Sequence, residues 1–129
     1  MKKISRLNIL SAGFFGFLGV SLGAFGAHGL KSFLLEHGRL STWETASTYM
    51  LLHAVAFLAL VGIGKGLLSD GWIRFIAYSW LAGVFLFSGS LFVMCLSGIT
   101  WLGAITPLGG TAFLLGWGAL FAGAIKSRQ

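Results

Sequence analysis

Thr45, Tyr49 and His53 follow one another at intervals of four residues, the spacing that stacks side chains on one face of an α-helix. A phenol and an imidazole one turn apart can hold a ligand or pass a proton, and an imidazole deep in an apolar run needs such a partner. Further weakly polar groups recur along the chain: His28 after Gly26-Ala27, then Ser88 and Ser90, then Thr106, Gly109, Gly110 and Thr111. A plainer reading stands beside this one. Serine and threonine in apolar helices usually bond a carbonyl of the preceding turn, or another helix at about 0.6 kcal/mol. An imidazole such as His28, near a helix end, suits an interfacial position.

The groups that are absent narrow the chemistry further. Beyond Glu44 and Arg74, the apolar runs hold no Asp, Glu, Lys or Arg, so a carboxylate proton relay, a voltage sensor and a charge-lined filter all lack their parts. No serine has the strand-turn-helix setting of an esterase nucleophile, and no carboxylate within the runs can orient a histidine. No enzymatic activity is expected. His28 and His53 as a haem pair would sit at different depths, and zinc would need His37 from a loop as a third ligand. No cofactor or metal is expected. Cys95 is the single cysteine, which excludes an intrachain disulfide.

The elements that must position these side chains follow from composition. Of 129 residues, 57% are hydrophobic and 9% charged, with a mean hydropathy of +0.90. A soluble domain carries about 25% charged residues, so a soluble fold of this chain would expose a large apolar surface; lipid removes the contradiction. Four apolar runs, residues 7–30, 43–63, 72–97 and 107–125, reach or approach the ~20 helical residues needed to cross a bilayer. None alternates as a barrel strand does. The expected fold is therefore all-α: one polytopic four-helix bundle over residues 1–129, with a short amphipathic segment, Lys31 to Glu36, between the first two spans. The third run exceeds the bilayer and should tilt or begin among the headgroups. Ser41-Thr42-Trp43-Glu44 fits a capping box opening the second span, Gly38 marks the end of the short helix before it, and Thr106-Pro107 opens the fourth. Trp43, Trp72 and Trp101 fall at run ends, where indole favours the interface.

Orientation comes from the basic residues. Lys2, Lys3, Arg6, Lys65, Arg74, Lys126 and Arg128 fall on one side, against Lys31 and Arg39 on the other. The positive-inside rule then places both termini in the cytoplasm of a multi-pass protein of the cytoplasmic (inner) membrane. These residues are scattered, so they mark topology and not a nucleic-acid patch. The first run is longer than the 7–15-residue core of a signal peptide and is read as a retained span. Among the twenty glycines, Gly16, Gly19, Gly23 and Ala27 on the first helix, and Ala112 and Gly116 on the fourth, recur at the spacing that lets helix backbones approach closely. On this topology His28, Thr45, Tyr49, His53, Ser88, Ser90, Thr106 and Thr111 gather in the outer half of the bundle as a candidate polar pocket roofed by the amphipathic segment.

Several phrases in order carry a resemblance. Gly23-Ala24-Phe25-Gly26-Ala27-His28-Gly29-Leu30, Thr45-Ala46 leading to Tyr49 and His53, Phe87-Ser88-Gly89-Ser90-Leu91, and Thr106-Pro107-Leu108-Gly109-Gly110 with Gly116-Trp117 resemble the bacterial inner-membrane family known as domain of unknown function 423. A small eukaryotic relative, transmembrane protein 256, is similar in the same motifs. Met50 stands where that family often has glutamine, which makes the cluster less polar here. The resemblance implies four spans, residence in the cytoplasmic membrane and no assigned activity. The partners expected are the lipid bilayer and, within it, another membrane protein or a second copy of the chain. An accessory protein acting through helix–helix contacts is the leading expectation, and a binder or carrier of a small neutral or lipid-like molecule in an outward-facing polar pocket is the alternative.

Overall fold

The computed structural model describes residues 2–127; Arg128, counted above among the terminal charges, lies outside them. Among these residues the chain is helical without strands. Helix α1 (Lys3–Ala27) is followed by the short α2 (Lys31–Glu36) and by α3 (Leu40–Ile63). The third span begins as α4 (Asp70–Gly83), widens into a π-helical segment (Val84–Gly89) and finishes as α5 (Ser90–Ser97). A 3₁₀ turn (Thr100–Ala104) leads to α6 (Thr106–Lys126). Four helical stretches are long and apolar enough to cross a membrane. The third, at 28 residues, would run about 42 Å at the α-helical rise, longer than the hydrocarbon layer as its sequence required.

Two ends differ from expectation. α3 starts at Leu40 with Arg39 as its N-cap and no side-chain cap, so Ser41 lies inside the helix and the Ser41–Glu44 capping box does not form. The chain instead enters α3 straight from a turn: Gly38, at φ +65°, follows α2, with its own amide on Leu35 O and that of Arg39 on Leu34 O at 2.8 Å. This is a Schellman ending, in which glycine takes the left-handed position. Trp43 is also not an interfacial indole. It is 1% exposed, and its Nε1 donates to Leu22 O of α1 at 2.7 Å. Trp101 is exposed as a boundary residue should be, and Trp72 lies under the Lys126 ammonium, 5.6 Å from its ring centre.

Helices pair where a large side chain of one meets a glycine of the other. Along antiparallel α1 and α3, a methyl group placed on Gly26 would strike the Trp43 indole, one on Gly23 would lie 3.8 Å from Ser47 Cβ, and one on Gly19 would meet Leu51 at 2.8 Å. The second hairpin repeats the device. Gly123 faces Trp72, Gly116 the Trp80 indole, and Gly109 the backbone of Leu86 and Phe87 in the π-segment, while Gly83 of α4 receives Phe113 of α6. Ala27 and Gly16 contribute less than their spacing suggested: Ala27 is exposed and nothing stands within 4 Å of a methyl added at Gly16. Ala112 is half-buried, beside the contacts that Gly109 and Gly116 make.

The second and third spans form the centre, each 44% buried over its most apolar stretch, against 22% for the first and 28% for the fourth. Phe57 meets Trp80 edge-on, and Trp43 meets Phe92; Ser88 Oγ donates to Ala46 O across the same interface at 2.8 Å. At Gly109 the obstacle is backbone, which cannot swing aside. Gly109→Ala is therefore expected to destabilise the protein by about 1–3 kcal/mol, whereas Gly118→Ala, with open space at that position, should be neutral or slightly stabilising. Thermal unfolding of the two variants in detergent, read by the loss of monodisperse protein, checks the contrast.

Candidate functional site

A groove of about 470 Å³ opens between α3 and α6. Tyr49 and His53 of α3 line it from one side, Thr111, Phe113 and Trp117 of α6 from the other, and Phe87 of the π-segment closes one end. The helical spacing of Tyr49 and His53 puts them on this face as the sequence indicates. They do not bond each other through their side chains. His53 Nδ1 lies 2.8 Å from Tyr49 O, one turn back in its own helix, and its Nε2 lies 3.0 Å from Trp117 Nε1.

These two contacts assign the tautomer. An indole N–H donates only, so Nε2 must accept and carries no proton. The proton of a neutral ring is then on Nδ1, which donates to the Tyr49 carbonyl. The ring is 2% exposed and stacks on Phe113 with centroids 3.8 Å apart and planes inclined by 13°. Both nitrogens are occupied, so ligation of a metal or haem iron requires breaking one of the bonds. Among the described residues no three His, Cys, Asp or Glu side chains gather as metal ligands.

The other candidate polar residues divide among separate places. Ser90 and Thr106 join α5 to α6 through a hydroxyl contact of 2.8 Å, and Ser90 also reaches Phe87 O. Ser88 is wholly buried between the second and third spans. Thr45 and Thr111 are exposed and bond carbonyls one turn back, Ser41 O and Pro107 O, each at 2.9 Å. His28 is exposed at the end of α1 and lines a different groove with Ser21 and Phe25. α2 packs on α1 and α3, with Leu34 fully buried, and contributes nothing to the lining of the Tyr49–His53 groove. The structure thus brings together Tyr49, His53 and Thr111, pairs Ser90 with Thr106, and leaves His28 and Thr45 apart.

Three polar features escaped the sequence reading. Trp117, seen only as part of a motif, supplies the donor that fixes His53. Arg39, counted as a topology charge, locks α5: its Nη1 donates to Cys95 O at 3.3 Å, and the Cys95 thiol lies 3.7 Å from Arg39 O. A cation there also suits the negative end of a helix. Asn8 is 0% exposed with both amide atoms unpaired among the described residues; it is the one carboxamide in the first run.

Comparison with known proteins places the chain. The model of a family described as protein of unknown function (DUF423) matches residues 22–110, a stretch that contains α2, α3, the whole third span and the Tyr49–His53 pair. The chain belongs to the DUF423 family. It is 39% identical over 126 residues to the UPF0382 membrane protein SAB0533 of Staphylococcus aureus (strain bovine RF122), covering 94% of this chain and 97% of the relative. To UPF0382 membrane protein YwdK of Bacillus subtilis it is 45% identical over 116 residues, 84% of this chain and 88% of the relative. A UPF0382 membrane protein of Haemophilus influenzae is 42% identical over 114 residues, 88% and 90% of the two chains. No solved structure matches. With relatives described as membrane proteins and four apolar helices of spanning length, this DUF423 protein is embedded in a membrane.

In this DUF423 protein the His53 tautomer is open to direct measurement. Histidine-selective ¹⁵N spectra are expected to show Nδ1 protonated and Nε2 bare near neutral pH. Trp117→Phe, which deletes the donor, should move the Nε2 resonance and leave Nδ1 bonded. An Nε2-protonated ring in the unaltered protein would refute the assignment.

Proposed function

We propose that this DUF423 protein acts without catalysis, as an accessory that docks another membrane protein through its spans. What supports this reading is an unfilled lateral groove of about 360 Å³ between α1 and α3. Gly13 and Gly16 line it with Ala12 and Ala54, and no atom stands within 4 Å of a methyl added at either glycine. Elsewhere on α1, Gly19, Gly23 and Gly26 are filled by residues of α3. In lipid, helices associate through close packing, and small residues permit it; a groove left open on the least buried side of the bundle suits a helix from outside.

The carrier reading has less support. Of the polar groups once grouped as its pocket, Thr45, His53, Ser88, Ser90, Thr106 and Thr111 all have bonding partners inside the chain. Beyond the Tyr49 hydroxyl, few free polar groups are left at the α3–α6 groove to orient a small neutral or lipid-like molecule.

A photoreactive residue at Val55, on the rim of the α1–α3 groove, provides the test in native membranes. Irradiation is expected to yield one discrete protein adduct that Gly16→Leu abolishes; labelling of lipid alone would reject docking at this groove. The same reading takes the membrane to be the cytoplasmic one with both termini inside, on the strength of the basic residues grouped at the terminal end. A fluorescent-protein fusion at the C-terminus should fluoresce and an alkaline-phosphatase fusion there should be inactive; the opposite pattern overturns that orientation.

A further inference from the structure

At the end of the bundle that carries both termini, a cleft of about 700 Å³ lies between the start of α1 and the first turns of α4. Lys2 Nζ reaches across it to Asp70 at 3.2 Å, and both side chains remain more than half exposed. Lys3 and Arg74 also line the cleft, and neither makes an ion pair among the described residues. Three cations therefore face one carboxylate that is already engaged. Tyr78 stands one helical turn beyond Arg74, and Ile4 and Leu7 of α1 supply an apolar wall.

The order of these groups along the helices carries the inference. Lys2, Lys3 and Asp70 form the rim at the first residues of two membrane spans, with Arg74 one turn in; Ile4 and Leu7 follow on α1, and the Tyr78 phenol lies a turn deeper on α4. A soluble anion needs only the rim. A molecule with an anionic head and a long apolar tail uses every level of the cleft, and such a molecule surrounds the protein on all sides. Basic pockets between spans are suited to anionic headgroups, each Lys or Arg strengthening binding by about fivefold, and guanidinium adds the paired donors that fit phosphate oxygens. A zwitterionic head fits poorly, because Asp70, the one carboxylate in the lining, is held by Lys2. We propose that this cleft binds the phosphate of an anionic phospholipid, with Arg74 and Lys3 on the phosphate and the acyl chains along Ile4, Leu7 and Tyr78. The site is separate from both lateral grooves and stands whether or not the docking reading does.

Native mass spectrometry of the detergent-purified full chain, titrated with phosphatidylglycerol, phosphatidylcholine or inorganic phosphate, tests it. Phosphatidylglycerol should be retained at concentrations where phosphatidylcholine is not. Arg74→Gln should weaken that retention about fivefold, while Lys65→Gln, at the same end but outside the cleft lining, should leave it unchanged. Arg74 and Lys65 are both exposed, so neither change disturbs the fold. Equal retention of the two lipids, or an equal loss from Lys65→Gln, overturns the site. Displacement of phosphatidylglycerol by millimolar phosphate overturns the lipid in favour of a soluble anion.

Discussion

Lipid removes the ordinary reason for helices to associate. An isoleucine gains little by leaving acyl chains for another helix, so spans must hold one another through closeness of fit and the few hydrogen bonds they can share. The bundle meets this constraint with a single device used twice. Tryptophan of one helix lies over glycine of its antiparallel neighbour, Trp43 on Gly26 in the first hairpin, and Trp80 on Gly116 and Trp72 on Gly123 in the second. The remaining contacts of each hairpin continue the same register, down to Gly109 lying directly on the backbone of the π-segment. The indoles of Trp43 and Trp80 are not equivalent. That of Trp43 bonds Leu22 O, whereas Trp80 Nε1 is buried without an acceptor among the described residues.

With packing assigned to glycine and aromatic rings, the polar side chains mostly bond backbone carbonyls, and a few reach across to another span. A buried unpaired polar group is expensive in lipid, and the sequence supplies few of them. His53 joins α3 to α6, Ser90 and Thr106 join α5 to α6, and Ser88 joins the third span to the second. Each lies at a boundary between spans, so the weakly polar residues act as stitches across seams. That arrangement explains why a pattern suggestive of a binding pocket disperses into pairs in three dimensions.

Much of the architecture was legible because lipid imposes coarse rules. Run length and charge placement gave four spans, and Gly38 and Pro107 marked turns by their own backbone chemistry. Other features depended on detail that spacing does not carry. Gly26 and Ala27 are neighbours, and only the rotation of α1 on α3 decides that Gly26 is the contact and Ala27 faces out. Trp43 lies at a run end, where interface and interior are both open to an indole; the hole at Gly26 draws it inward. The Tyr49–His53 face was readable from a period of four, but the partner that fixes His53 is 64 residues away on a helix whose rotation the sequence leaves free. Arg39 looked like any loop cation until the C-terminal end of α5 stood beside it.

The first and fourth spans lie on opposite flanks of the central pair, each anchored chiefly to its neighbour in sequence. The glycine contacts that join α1 to α3 are therefore all present once residue 63 has entered the membrane, before any of the second hairpin has been synthesised. Insertion can then proceed as two successive hairpins, the second settling against a surface that already exists. A nascent chain built this way exposes no half-formed pair to the bilayer for longer than it takes to make one helix.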